Sequence, residues 1–335
     1  MIIKSITLTN FRNHDHYHLD CNEDTTLILG KNGCGKTSVL EAIYILTRGK
    51  SFRASDPDII KRETNFYRAE IIDDLGEKNI VTYDGKMKTF SIVDKKTRRL
   101  PKNLKYPVIL FLPSDLNLIS GSPSRHREYF DHLFSIIDEK YNHNLNKYEK
   151  ALRQRNELLK SESTITSDLF SWNLLLAKYG TLIFNFRKEY TEKINQLLTS
   201  TYFSIANKKD SVSLFYKTEV VENNEEKYLK TLEQNFQKDL ILGHTSFGVH
   251  RDDFNFFFND KIANGSASRG ETRSIILALK FIEANLIEAE THQKPIILLD
   301  DVFSELDESR RESLIKNFKN HQIIITSVED VNLTY

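Results

Sequence analysis

Between Pro123 and Gly243 glycine and proline nearly vanish, leaving only Gly180, and apolar side chains recur at steps of three and four residues. Phe130, Leu133, Phe134, Ile137, Tyr141, Leu145, Tyr148 and Leu152 form one series; Trp172, Leu176, Tyr179, Ile183, Phe186, Tyr190, Ile194 and Leu197 form another. Each spacing gathers its apolar residues on one face, which predicts two amphipathic helices. The polar run 161–167 predicts the break between them, with Ser167 or Asp168 as N-cap of the second. Outside this stretch the pattern changes. Short β-branched and apolar runs at 2–8, 25–29, 79–83, 107–112, 296–299 and 322–326 predict strands, and they alternate with helical periods at 37–47 and 271–289. The result is an α/β pattern in which neither flank suffices to bury a sheet. Residues 1–113 and 241–335 are therefore expected to fold together as one lobe, with 114–240 as an inserted helical lobe.

Composition narrows the class. Of 335 residues, 39% are hydrophobic and 11% aromatic, enough apolar surface to exclude wholesale disorder. No apolar run approaches the roughly 18–20 residues that cross a bilayer, and the N-terminus lacks a signal-peptide layout, so a cytosolic protein without a membrane partner is expected. Cys21 and Cys34 are too few for a disulfide framework and read as free thiols. Basic and acidic side chains balance at 47 each, but residues 1–110 carry an excess of +5, 111–240 are neutral and 241–335 carry −5. Lys86, Lys88, Lys95, Lys96, Arg98, Arg99, Lys102 and Lys105 share their stretch with a single acid, Asp94. The first six are candidate DNA contacts, against the equal alternative of a solvated hairpin.

One motif carries explicit chemistry. Gly30-Lys31-Asn32-Gly33-Cys34-Gly35-Lys36-Thr37, followed by Ser38, fits G-x-x-x-x-G-K-[ST] between an apolar strand and a helical period. Glycines let backbone N–H groups wrap a phosphate, and the helix that follows turns its unpaired donors on the same anion. Lys36 is expected to reach the outer phosphates and Thr37 to place its hydroxyl on Mg²⁺. Four apolar residues then lead into Asp300-Asp301, where Asp300 is expected in the metal shell and Asp301 to orient or deprotonate an attacking water. Ala267-Ser268-Arg269-Gly270-Glu271 opens the 271–289 helix, with Ser268 as a good cap and Gly270 allowing close backbone approach.

His14, His16 and His18 alternate as one strand face would, and are expected to meet water rather than a metal ion. Cys34 occupies a variable position of its motif, and a redox role is not expected for it.

Taken in order, these segments resemble the head of an ABC-type ATPase, and in particular the RecF family of bacterial DNA repair proteins. The resemblance rests on Leu8-Thr9-Asn10-Phe11-Arg12-Asn13, Ser51-Phe52-Arg53, Phe111-Leu112-Pro113-Ser114-Asp115-Leu116, Arg125, Arg127, Phe130-Asp131, Ala151-Leu152 with Arg155-Asn156, Trp172, and His250-Arg251-Asp252-Asp253. Its most specific string is Leu299-Asp300-Asp301-Val302-Phe303-Ser304-Glu305-Leu306-Asp307. The family implies an ABC-type P-loop ATPase head with an inserted helical lobe. ATP and Mg²⁺ would hold a homodimer closed, with Ser268 and Gly270 acting on nucleotide bound by the other subunit, Asp307 lining the seam and Arg12 approaching the nucleotide. It also implies binding to single-stranded and gapped or junction DNA, cooperation with RecR and RecO in loading RecA, and a link to replication and the SOS response.

Departures from the family pattern carry expectations of their own. Glu271 stands where Gln is usual and calls for an offsetting cation such as Arg269 or Arg273. Asp301 stands where Glu is usual, so hydrolysis should be slow and serve as a switch. The rival readings are the ATPase subunit of an ABC transporter, whose signature would be a fuller glycine-rich run ending in Gln, and a P-loop kinase, which would need neither the Ser268 segment nor Ser304–Asp307. A chromosome-cohesion ATPase would need far longer heptad arms than 114–240 supplies.

Overall fold

The computed structural model describes residues 1–92, 95–161, 166–220 and 222–328, which divide into two compact units. The first comprises residues 1–116 and 283–335, the second 117–282.

The first unit is built on two sheets. Thr25–Leu29, Ile323–Ser327, Ile296–Asp300 and Val108–Phe111 lie side by side in that order, every pair parallel. Strands from the two ends of the chain thus share one sheet, with Ile323–Ser327 and Ile296–Asp300 in the middle and Thr25–Leu29 and Val108–Phe111 at its edges. The last three are buried almost throughout, as continuous apolar strands of a parallel sheet should be. The second sheet is antiparallel, in the order His14–Asp20, Ile3–Phe11, Tyr67–Asp73, Lys78–Tyr83, Lys88–Ile92, Lys95–Thr97. The helix Lys36–Arg48 packs on both sheets, and eleven of its thirteen residues are buried. Its buried residues include the polar Lys36, Ser38, Glu41 and Thr47 beside the apolar ones.

The second unit carries the helices. The period that runs through 130–152 forms two helices, Pro123–Ile137 and Glu139–Leu159. Asp138 leaves the helical conformation (φ −137°, ψ 115°) and its carboxylate caps the second helix by accepting from the N–H groups of Lys140 and Tyr141. The long helix Thr166–Ala206 already contains Ser167 and Asp168, so neither is its N-cap; residues 162–165 of the expected break lie outside the described residues. This unit is not wholly helical. Val212–Lys217, Asp253–Phe258 and Lys261–Ile262 form a three-stranded antiparallel sheet, with Asp253–Phe258 central. Asn195 and Thr199 on the long helix exchange hydrogen bonds with the backbone of Leu214 and Val212, which occupies an edge that would otherwise be open.

Two arginines lie inside the second unit. Arg187 donates to Asp131, to Asp252 and to the carbonyl of Val249, while Tyr141 and Tyr216 close on the same two carboxylates. Arg155 donates to Asn173, Asp239 and Thr245. The family-like strings around Asp131, Arg155-Asn156 and Asp252-Asp253 are thus the polar interior of this unit. The helix Arg269–Thr291 belongs to the second unit up to Ile282 and to the first from Glu283. Among the described residues no helix is long and apolar enough to cross a membrane.

Candidate functional site

The phosphate-binding motif occupies the turn between Thr25–Leu29 and the helix Lys36–Arg48. Gly33 (φ 82°) and Gly35 (φ 104°) take left-handed conformations that other residues resist, and Gly35 is the helix N-cap. The loop is tied to the last strand by the N–H of Gly30 on the carbonyl of Ser327. Lys36 is almost fully buried. Its Nζ folds back over the loop to the carbonyls of Gly30 (2.7 Å) and Lys31 (3.4 Å) and lies 3.7 Å from Asp301 Oδ2. Cys34 is an exposed free thiol.

Residues 263 positions apart meet at the base of this loop. Thr37 Oγ1 donates to the Asp300 carboxylate, 2.8 Å from Oδ1 and 3.0 Å from Oδ2. Thr326, on the neighbouring strand, donates to Asp300 Oδ1 at 2.9 Å and accepts from the N–H of Asp301 at 2.9 Å. Asp301 is left-handed (φ 50°), an unfavourable conformation for a side chain with a Cβ. Its Oδ1 is buried and has no hydrogen-bond partner among the described residues. Burial raises the Asp301 carboxyl above its ordinary value, Lys36 pulls it down and Asp300 pushes it up. The arrangement therefore offers a cationic Nζ, helix N-terminal donors for an anion, and oxygen donors with one free buried acceptor beside them. Such a set suits a hard divalent cation that keeps part of its water shell.

A second layer holds the helix in place. Glu41, fully buried on the helix Lys36–Arg48, accepts from Arg12 Nε and Nη2 (2.9 and 2.8 Å), from Arg53 Nε and Nη2 (3.1 and 2.9 Å) and from Ser51 Oγ (2.6 Å). Burial alone would raise this carboxyl, but the hydrogen bonds from Arg12, Arg53 and Ser51 outweigh it and hold the group below the usual glutamate range. Arg12 is thus placed on Glu41, with Nη1 on the carbonyl of Asp58. Reading the residues alone passed over Glu41, although a lone carboxylate within Val39-Leu40-Glu41-Ala42-Ile43 is itself a signal, since a charge in an apolar run must be paired. The roles of Thr326 and Asn13 were passed over as well, and His14 was considered only as a strand-face residue. His14 does not simply face outward from its strand: its Nε2 bonds the carbonyl of Gly35 at 3.1 Å. Among the described residues no cluster of three or more His, Cys, Asp or Glu side chains is found.

The remaining candidates lie elsewhere. In the second unit, Ser268 and Glu271 form a reciprocal capping box: the Ser268 N–H donates to Glu271 Oε2 (2.9 Å) and the Glu271 N–H to Ser268 Oγ (3.3 Å). Lys208, rather than either arginine named above, supplies a cation to Glu271, at 3.1 Å. The first of the causes that lower the Glu271 carboxyl is the bond from the Ser268 backbone. Gly270 follows in the same first turn. In the first unit, Asp307 caps the helix Glu308–Asn317 and pairs with Arg310. Of the basic residues, Lys95, Lys96, Arg98 and Arg99 are exposed on and just after the edge strand Lys95–Thr97, and Lys86 is exposed in the turn between Lys78–Tyr83 and Lys88–Ile92. Lys88 is not available in the same way: its Nζ is 2.9 Å from Asp56.

Comparison with known proteins bears on the family of the chain. A family model described as an AAA ATPase domain matches residues 1–327. Among curated proteins, the "DNA replication and repair protein RecF" of Clostridioides difficile is 35% identical over 98% of this chain and 92% of its own length. That of Clostridium perfringens is 34% identical over 99% and 94%. Among solved structures, "the recombination mediator protein RecF-ATP in RecFOR pathway" aligns with a TM-score of 0.88 at 31% identity, covering 99% of this chain and 93% of that one.

Proposed function

Since the chain belongs to the RecF family of DNA replication and repair proteins, we propose that it is a cytoplasmic, ATP-gated DNA-binding protein of recombinational repair. The observation that carries the reading is the meeting of Thr37 with Asp300 at 2.8 Å, which joins the phosphate loop to the acidic strand. Lys36 is the residue for the outer phosphates. It must give up the carbonyls of Gly30 and Lys31 to reach them, and the phosphate replaces two neutral acceptors with a charged one. Gly30, Lys31, Asn32, Gly33, Cys34, Gly35, Thr37 and Ser38 supply the surrounding backbone. Thr37 and Asp300 are the residues that would hold Mg²⁺, which when bound neutralises charge on the phosphate oxygens. Asp301 has a free buried acceptor, Oδ1, to align water. Its short arm favours slow turnover.

Slow hydrolysis suits a switch. ATP favours a closed homodimer to the extent that it binds that state better than the monomer. Ser268, Gly270 and Asp307 complete the partner's site across the seam. The closed form engages single-stranded and gapped or junction DNA, and RecR and RecO act with it to help load RecA, in replication and the SOS response. Sedimentation of the protein with Mg-ATP, with and without a gapped duplex, at two salt concentrations tests the reading. A monomer that dimerises only with ATP and binds the duplex with steep salt dependence supports it. Nucleotide binding with neither dimer nor DNA overturns it.

A further inference from the structure

Three consecutive side chains of one turn grip the phosphate-loop segment. Phe11 pairs with His14 across the hairpin, leaving Arg12 and Asn13 as a two-residue turn in which Arg12 is left-handed (φ 58°). That conformation is unfavourable for a residue with a Cβ and persists only where the surroundings impose it. Here Arg12 holds Glu41 on the helix, Asn13 Nδ2 donates to the carbonyl of Gly33 at 2.7 Å, and His14 Nε2 bonds the carbonyl of Gly35 at 3.1 Å. A carbonyl only accepts, so the His14 proton sits on Nε2. The approach is close: a Cβ on Gly35 would fall 2.3 Å from His14 Nε2 and 2.7 Å from Asn13 Oδ1.

We infer that residues 12–14 are a clamp that sets the phosphate loop before nucleotide arrives, with Asn13 and His14 as positioning residues. The inference rests on the ATP-binding reading above. Within one planar peptide the C=O and N–H point opposite ways, so fixing the Gly35 carbonyl on His14 fixes the direction of the Lys36 N–H. That N–H belongs to the first helical turn, whose donors have no partner inside the helix and are the ones an anion uses. Without the clamp, nucleotide must order the loop itself, and its apparent affinity falls by the fraction of time the loop is correctly set.

The test compares Asn13→Ala, His14→Ala and His14→Gln with the parent chain. Gln places an amide donor near the position of Nε2 and should rescue. Binding of a fluorescent ATP analogue should weaken about three- to tenfold in each alanine variant, as loss of one neutral hydrogen bond implies, and recover to within about threefold in His14→Gln. Amide exchange across residues 30–37 of the nucleotide-free protein should quicken in the alanine variants, while the melting temperature stays close to the parent's. Unchanged exchange in both alanine variants would overturn the clamp, as would an affinity loss that Gln fails to restore. If the parent chain binds no ATP analogue, the functional reading fails, and the exchange measurement alone decides the clamp.

Discussion

Glu41→Gln tests the claim that a buried carboxylate organises the phosphate-loop helix. The substitution keeps the shape and removes the charge, and it turns one acceptor into an amide that points donors at an arginine. Breaking a buried ion pair costs about 3–5 kcal/mol, whereas an exposed one is worth at most about 1 kcal/mol. Glu41 is fully enclosed, but the Arg12 and Arg53 side chains are 23% and 36% exposed, so both can recover water when the carboxylate is gone. We expect an intermediate loss of about 2–3 kcal/mol, and a unit of this size melts about 2–4 °C lower per kcal/mol. Thermal unfolding at pH 7 should therefore fall by about 5–10 °C. The acid branch adds a sign. The carboxyl is held below its ordinary value of 4.5, so its stabilisation is present above that pH and is lost as pH falls through the lowered value. Parent and variant melting temperatures should converge in that acid range. A variant that melts within about 1 °C of the parent at pH 7, or a gap that persists unchanged in acid, would refute the reasoning.

Ser268→Arg should cost about 1 kcal/mol through the lost cap, leave ATP binding intact and abolish the ATP-induced dimer in sedimentation; a normal dimer would sink the assignment across the seam. Asp301→Asn should retain ATP binding and slow phosphate release further. The Asp301 carboxyl is raised in the fold, so its contribution is full below 3.8 and lost as pH rises through the raised value; the asparagine variant should be the more stable at pH 7, with an advantage that disappears in acid, and a less stable variant contradicts this. Replacing Lys95, Lys96, Arg98 and Arg99 with alanine should flatten the salt dependence of duplex binding, the logarithmic slope falling by about one for each phosphate left unneutralised, while Lys88→Ala, already committed to Asp56, should change it little. An unchanged slope in the fourfold variant places the DNA face elsewhere.

What the sequence made legible follows from how locally each feature is encoded. The four strands of the parallel sheet and the helices at 37–47 and 271–289 are continuous patterns, and the structure carries them at Thr25–Leu29, Val108–Phe111, Ile296–Asp300, Ile323–Ser327, Lys36–Arg48 and Arg269–Thr291. The break at Asp138 was hidden because the apolar period runs straight through it: one non-helical residue shifts the face too little to be seen in Phe134, Ile137 and Tyr141. Val212–Lys217 was hidden for another reason. Its alternation, Val-Ser-Leu-Phe-Tyr-Lys, is short, and its partner Asp253–Phe258 lies some forty residues on. At the site, Lys36, Thr37 and Asp300 are announced by a motif. Thr326 and His14 act through hydrogen bonds, from residue types that are common on any strand, and only the fold reveals their partners.

The buried arginines of the second unit connect these levels. Replacing a buried ion pair with apolar residues is often neutral for stability, so Arg187 and its two carboxylates are better understood by what they hold than by what they contribute in energy. Arg187, on the helix Thr166–Ala206, reaches Asp131 on Pro123–Ile137 and, around the turn before the central strand, the Val249 carbonyl and Asp252. An apolar contact tolerates sliding, whereas each of these bonds fails with a shift of about an ångström. The network therefore fixes where the strand Asp253–Phe258 begins, and this strand pairs in fixed register with Lys261–Ile262, directly before the segment that ends in Ser268. In the proposed closed dimer Ser268 would have to be presented to the other subunit's phosphate from a defined place. The family-like strings at 130–131 and 250–253 would specify that place from inside the unit, through the bonds of Arg187.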